Sequence, residues 1–526
     1  MPARTTDRPD VIVIMADDLG YSDLASYGGE IPTPNLDRLA DRGVRLSSFY
    51  TTPRCSPTRA SLMTGRHSHD VGIGVLTRPI GYRGSLDAEV PTLASVLHDQ
   101  GYATSITGKW HLSADVSAPN ETWPTRRGFD DFYGILGGGT SYFNPRAFYR
   151  NEEEIEVDAA DDAFYLTDAF TEHALEFMRE SAAAQNPYFL YLAYTAPHWP
   201  LQAPEGDLAP HRGAFSEGWD AARAGRAARQ RELGLFPRDV EPSPRDADEP
   251  AWEDAEDRAW QQSRMEVYAA QIGALDRGVG RLLDELEASG RLDDTLILFL
   301  SDNGAEAEEL TVGRFLSPHV TPSETRDGRP VAIGNDPSIE PGHEDTFTSY
   351  GRPWANVSNT PFRLYKKWVH EGGIAAPLIA SWPAGGVGGA RGGSVLHDPA
   401  HVVDLLPTVL GATGAPLPDR LAGEDVLDLL RGGTASERPL FWEHIGNGAI
   451  RRGGWKLVRE DGSDWELYDL ENDRTELDDV AAQHPELVEE LATQWQEWAD
   501  AHGVIPFPDL VAEYTSRGMK PWLAKS

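Results

Sequence analysis

Cys55-Ser56-Pro57-Thr58-Arg59 packs more potential chemistry into five residues than any other stretch of this chain. Proline suits the first turn of a helix, where its missing N–H would have no partner anyway. Pro57 therefore sets Cys55 at or just before a helix N-terminus, where free backbone N–H groups and the helix dipole favour anions. Arg59 lies four residues on and shares a face with Cys55. Its guanidinium can grip a tetrahedral oxyanion or steady a nucleophile. Spacing leaves two readings of Cys55 open. One is a buried structural thiol, which has no need of Pro and Arg at these offsets. The other is a thiolate nucleophile activated by the helix N-terminus.

Four further sites carry groups of catalytic type. Asp17-Asp18 follows the apolar run Val11-Ile-Val-Ile-Met15, and Asp302-Asn303 follows Leu296-Ile-Leu-Phe-Leu300. Neighbours on a strand point to opposite faces, so both aspartates converge only where the strand has ended. Alone, either pair reads as a solvated acidic turn. Together, three carboxylates and an amide oxygen form a hard-oxygen set that suits Ca²⁺ or Mg²⁺, and no second cysteine is available for a soft site. Lys109 and His111 alternate on an extended stretch and so face one way, though such a pair is usually surface decoration. His198, between Pro197 and Trp199, reads equally as a packed loop histidine.

The Cys55 motif, continued by Leu62-Met-Thr-Gly65, resembles the signature of type I sulfatases of the alkaline phosphatase superfamily. The chain is similar throughout to Pseudomonas-type bacterial arylsulfatases. The matching stretches are Val11 to Gly20, Thr107-Gly-Lys-Trp-His-Leu112, Ala196-Pro-His-Trp-Pro-Leu-Gln-Ala-Pro204, Met265-Glu-Val-Tyr-Ala-Ala270 and Leu364-Tyr-Lys366. The resemblance implies that a separate formylglycine-generating enzyme oxidises Cys55 to formylglycine. One hydroxyl of its hydrate attacks sulfur and the other later expels sulfate. It also implies Ca²⁺, with Mg²⁺ as second choice, held by Asp17, Asp18, Asp302 and Asn303, with residue 55 and a sulfate oxygen completing the shell. By the same resemblance Asp302 helps polarise the attacking hydroxyl, and Lys109 binds sulfate and diol. His111 shuttles the diol proton, His198 assists the leaving oxygen, and Lys366 is the second sulfate-binding lysine, with Lys367 the alternative if the register is off by one. Arg59 and these cations would give an acidic protein a positive pocket. Two departures stand out: Ala375-Ala376-Pro377 replaces the usual Arg-Val-Pro, which puts local salt bridging in question, and Met63 replaces Leu.

These groups need a frame that brings strand ends together. The apolar runs at 11–15, 188–194 and 296–300 suit strands buried on both faces. Between them, helical spacing appears at 35–41, 93–99, 168–179, 266–287 and 402–410. The expectation is an α/β fold with a large, mostly parallel sheet flanked by helices, its ligands at the carboxyl ends of the strands. The catalytic domain is expected over 1–432, with a surface insertion at about 204–260 and a long loop at about 311–361. Short β-like segments after Gly432 predict a smaller α+β domain with an antiparallel sheet over 433–526. His67, His69 and Asp70 are expected in a solvated loop.

Composition narrows the partners. A formal net charge of −37 repels nucleic acid and anionic membranes. The first apolar run is too short for a signal-peptide core, and no later one is long enough to span a bilayer; a cytoplasmic enzyme is the expectation. The predicted reaction is hydrolysis of sulfate monoesters, aryl first and alkyl second. A phosphonate monoester or phosphodiester hydrolase of the same superfamily is the alternative, and a non-catalytic anion-binding protein is the remote one.

Overall fold

Asp10-Val-Ile-Val-Ile-Met-Ala-Asp17 forms β1, every residue of it buried. The computed structural model describes residues 8–314 and 316–519. Alternate residues of β1 enter two different cores. Ile12 and Ile14 join one cluster, while Val11, Val13 and Met15 join another on the opposite face. That is why the run is apolar without a period of two. Each such side chain contributes about 1.5–3 kcal/mol by leaving water, so a polar residue on either face of this strand is costly.

The central sheet has ten strands. The others are β2 (Val44–Leu46), β3 (Ala103–Lys109), β4 (Asp131–Ile135), β5 (Phe148–Arg150), β6 (Glu153–Glu154), β7 (Tyr188–Pro197), β8 (Thr295–Ser301), β9 (Leu378–Ser381) and β10 (Ser394–Leu396). Their order is β10-β2-β9-β8-β1-β7-β3-β4-β5-β6. The block β8-β1-β7-β3-β4 is parallel. Strand β9 runs antiparallel to both its neighbours, and β5 and β6 close the far edge antiparallel. The sheet is therefore mixed, with a parallel centre where the site residues lie.

Helices cover both faces of the sheet. On one side lie α1 (Pro34–Arg42), α4 (Leu166–Ala184) and α6 (Arg258–Ala288); on the other lie α2 (Cys55–Thr64), α3 (Leu93–Asp99) and α7 (Leu405–Thr413). Their starts are legible locally. Pro34 opens α1, and Thr92 caps α3 in a reciprocal box with Ser95.

The segment 204–260 is anchored in the protein rather than lying over it. Its helix α5 (Gly218–Glu232) buries Trp219, whose ring lies 4.7 Å from that of Trp252 and 5.7 Å from that of Trp354. Trp354 itself belongs to the stretch 311–361. Arg226 of α5 is fully buried against Asp23 and Glu30, at 2.6 and 2.8 Å.

At the C-terminal end, β11 (Leu440–His444), β12 (Asn447–Arg452), β13 (Trp455–Arg459) and β14 (Glu466–Asp469) form an antiparallel sheet. Ala449, Val458 and Tyr468 face the main core. Ile450, Leu457 and Leu467 face α8 (Pro485–Ala501) through Leu491, Trp495 and Trp498. This sheet also reaches the turn before Ala375. Glu371, fully buried, is held by Lys456 at 2.8 Å, by Arg474 and by the Tyr50 hydroxyl at 2.9 Å. Local salt bridging here is therefore carried by cations of the C-terminal sheet and the turn after it. No helix among the described residues is long and apolar enough to cross a membrane.

Candidate active site

Strand register assembles the acidic half of the site. Ala16 pairs with Ser301 across β1 and β8, so Asp17 and Asp302 leave the sheet side by side. On the other side Asp17 pairs with Pro197, which sets His198 next to Asp18. Asp18 has φ 65°, in the left-handed region. That turn immediately past the strand lets both aspartates face one cluster of basic side chains rather than opposite sides of the sheet.

The Cys55 helix brings the nucleophile position to the same place. Cys55 is the first residue of α2 and is buried. Its Sγ lies 3.3 Å from Nδ1 of His111, another residue in the left-handed region, with φ 54°. One turn on, Arg59 is fully buried. It donates to Asp302 Oδ2 at 2.8 Å and to the Lys109 carbonyl at 2.9 Å, and stands 3.6 Å from Asp17 Oδ1. Lys109, at the end of β3, reaches Asp17 Oδ2 at 2.7 Å. Gly108 makes this possible: with φ 119°, a Cβ there would sit 1.9 Å from the Ala193 carbonyl.

Lys366 arrives on a loop docked against the end of β8. A Cβ on Gly304 would meet the Gly372 carbonyl at 1.8 Å, so only glycine permits that contact. The Lys366 N–H donates to the Ala305 carbonyl at 3.1 Å. Its Nζ lies 2.8 Å from Asp18 Oδ2. Lys367 turns away to Glu308 at 3.1 Å, half out of the site, so the structure separates the two lysines that the sequence left adjacent. All the residues singled out in the sequence meet here: Asp17, Asp18, Cys55, Arg59, Lys109, His111, His198, Asp302, Asn303 and Lys366. His67, His69 and Asp70 do not. Asp70 is exposed and His67 and His69 are half-buried; His69 meets Glu443 at 2.9 Å and Asp70 pairs with His502, so the expected loop lies along the seam with the C-terminal sheet.

The field explains the protonation states. Burial disfavours the Asp18 carboxylate, but Lys366, His198 and Lys109 outweigh it and hold Asp18 at about 2. Asp302 goes the other way: burial, then repulsion from Asp17, raise it to about 7 despite Arg59. Burial and the surrounding cations keep His111 well below the usual histidine range, hence neutral. His198 is drawn to about 3 by burial, with Asp18 opposing and Lys366 and Lys109 adding to the fall. Burial pushes the Cys55 thiol up, with Lys109 and Lys366 opposing, so an activated thiolate is disfavoured here.

The donor set fits a hard divalent cation. Asp17, Asp18 and His198 present ligand atoms within 4.8 Å of one another, as do Asp17, Cys55 and Asp302. Asp17 Oδ1 and Asn303 Oδ1 are buried with no hydrogen-bond partner among the described residues. Such orphaned oxygens are costly unless something binds them. Asn303 Nδ2 meanwhile donates to Asp18 Oδ1 at 2.7 Å, which orients both side chains. One buried acid escaped sequence reasoning: Glu306, 2.7 Å from Lys366 Nζ. Its only sequence signal was its place just past Asp302-Asn303.

A helix N-terminus, buried carboxylates and buried cations converge at this site. Residues 9–415 match the family described as Sulfatase, and residues 362–500 match N-sulphoglucosamine sulphohydrolase, C-terminal. The chain is 34% identical to an uncharacterized sulfatase of Schizosaccharomyces pombe, over 96% of each chain. It is 35% identical to an arylsulfatase of Klebsiella aerogenes, over 81% of this chain and 91% of that one. The crystal structure of Ps i-CgsB in complex with k-i-k-neocarrahexaose superposes with a TM-score of 0.69 at 25% identity, covering 98% of both chains. The chain belongs to the sulfatase family and is by class a sulfuric ester hydrolase.

Proposed function

We propose that this enzyme hydrolyses sulfate monoesters, aryl sulfates first and alkyl sulfates second, through a nucleophile made from Cys55 beside a bound Ca²⁺. The observation that carries the reading is the approach of Cys55, Asp17 and Asp302 to within 4.8 Å, a nucleophile position built onto a metal-ligand set. Asp17, Asp18, Asp302 and Asn303 would hold the cation, whose charge, when bound, stabilises the negative oxygens of the transferring group. Converted to formylglycine by a generating enzyme, residue 55 supplies a hydrated aldehyde, with one hydroxyl to attack sulfur and one through which sulfate is later released.

The chain's own residues do the rest. Arg59 keeps Asp17 and Asp302 facing the N-terminus of α2, and Lys109 and Lys366 bind sulfate oxygens. His111, neutral and 3.3 Å from Sγ, is placed to take a proton from the group at position 55. His198 donates Nδ1–H to the Trp199 carbonyl at 2.6 Å, which fixes its tautomer. Its Nε2 therefore carries a proton only when the ring is cationic. An arriving sulfate, negative and close, favours that form, and the proton then goes to the leaving oxygen.

Parallel kinetics with 4-nitrophenyl sulfate and a 4-nitrophenyl phosphonate monoester test the substrate class. The expected result is higher kcat/KM on the sulfate. A large preference for the phosphonate would instead favour the related activity named by a neighbour of the same fold, the phosphonate monoester hydrolase of Agrobacterium radiobacter (TM-score 0.58).

A further inference from the structure

Lys366 has two carboxylate partners, and the chemistry above employs only one. Its Nζ lies 2.8 Å from Asp18 Oδ2 and 2.7 Å from Glu306 Oε2. Asp18 would hold the cation in the reading above, and its pull on the lysine would then weaken. Glu306 has no such commitment. It is buried, and its other oxygen, Oε1, accepts the Glu308 N–H at 2.8 Å. The next acid cannot substitute for it: Glu308 is occupied by Lys367 at 3.1 Å and Arg54 at 3.4 Å.

A buried carboxylate beside an anion site is an unfavourable arrangement taken alone. It repels the substrate and must itself be compensated. Both objections are met if its task is to hold the lysine. A lysine ammonium is a point charge on a flexible four-carbon stem and needs a partner to fix where it points. Here the main chain of Lys366 is pinned to Ala305 and its ammonium to the very next residue, so both ends of the side chain refer to one turn. We propose that Glu306 is a positioning residue of the sulfate site, keeping Lys366 aimed at the sulfate. The inference rests on the reading that Lys366 binds sulfate.

The test is a double-mutant cycle on the formylglycine-bearing, metal-loaded enzyme, comparing Glu306→Gln, Lys366→Ala and the pair. KM for 4-nitrophenyl sulfate and the inhibition constant of inorganic sulfate are the readouts. Glu306→Gln should raise both by about tenfold, within the range of coupling between residues in contact, with a smaller loss in kcat. Glu306→Asp should recover part of the difference. The double variant should bind no more weakly than Lys366→Ala alone. Unchanged KM and sulfate inhibition in Glu306→Gln, or losses that multiply in the double variant, would overturn the inference. Should Glu306→Gln fail to fold, Glu306→Asp carries the same cycle. If the wild type binds sulfate yet turns over no sulfate ester, the functional reading fails, and sulfate titration by calorimetry still decides the role of Glu306.

Discussion

Asp302 stands between two opposing influences, and its response to pH should report the metal. In the metal-free protein its folded value is raised above the ordinary carboxyl range, to about 7, by burial and by Asp17. A raised folded value means that the protonated form is favoured in the fold. This contribution to stability is present at low pH and lost as pH rises through about 7. Metal binding needs the carboxylate, so uptake below that pH should release a proton and weaken as pH falls. Calcium titration by calorimetry in two buffers of different ionisation enthalpy should show proton release at pH 6 and little at pH 8.5. Equal release at both would remove Asp302 from the ligand set. Arg59 makes a second test at this scale. Arg59→Ala leaves Asp17 and Asp302 buried without their guanidinium, an effect on the order of 3–5 kcal/mol. Chemical denaturation of the metal-free protein should show that loss, and much of it should return on adding calcium.

Among the elements, those that were readable in the sequence share one trait: their signal is local. An unbroken apolar run ending in Asp or Asn marks the carboxyl end of a buried parallel strand, so β1 and β8 were legible with Asp17 and Asp302 at their ends. Pro57 placed the start of α2 for a similarly local reason. The segment 204–260 was not legible, because its charged composition conceals long-range partners. Arg226 reads as a surface residue of α5, yet it neutralises Asp23 and Glu30 from about two hundred residues earlier. Arg226→Ala should therefore destabilise the protein by about 3–5 kcal/mol, whereas Arg231→Ala, at an exposed position of α5, should change little. Urea midpoints of the two variants would separate a packed element from a decorative insertion. Glu306 was hidden for the same reason, since its partner sits on a loop sixty residues on.

For the whole molecule, the C-terminal sheet is part of what holds the catalytic body together. Lys456 and Arg474 neutralise buried Glu371, and Trp442 donates to the Thr51 carbonyl at 2.9 Å, four residues before Cys55. The sequence showed the change of texture after Gly432 but not this dependence, because Glu371 and its partners Lys456 and Arg474 lie about eighty-five to a hundred residues apart. Removing residues 433–526 should leave an insoluble or unfolded product. A folded, metal-binding fragment would contradict that role for the seam. Lys456→Met should cost less than Lys456→Ala, since it keeps the packed stem, and thermal unfolding of the two would rank them.

All three scales meet at position 55, the first residue of α2 and the point towards which the strand ends are aimed. The most direct test is mass spectrometry of the peptide containing residue 55, taken from enzyme with measured turnover on 4-nitrophenyl sulfate. The account predicts the aldehyde or its hydrate at that position, in a fraction that scales with specific activity. An unmodified Cys55 thiol in fully active enzyme would contradict it.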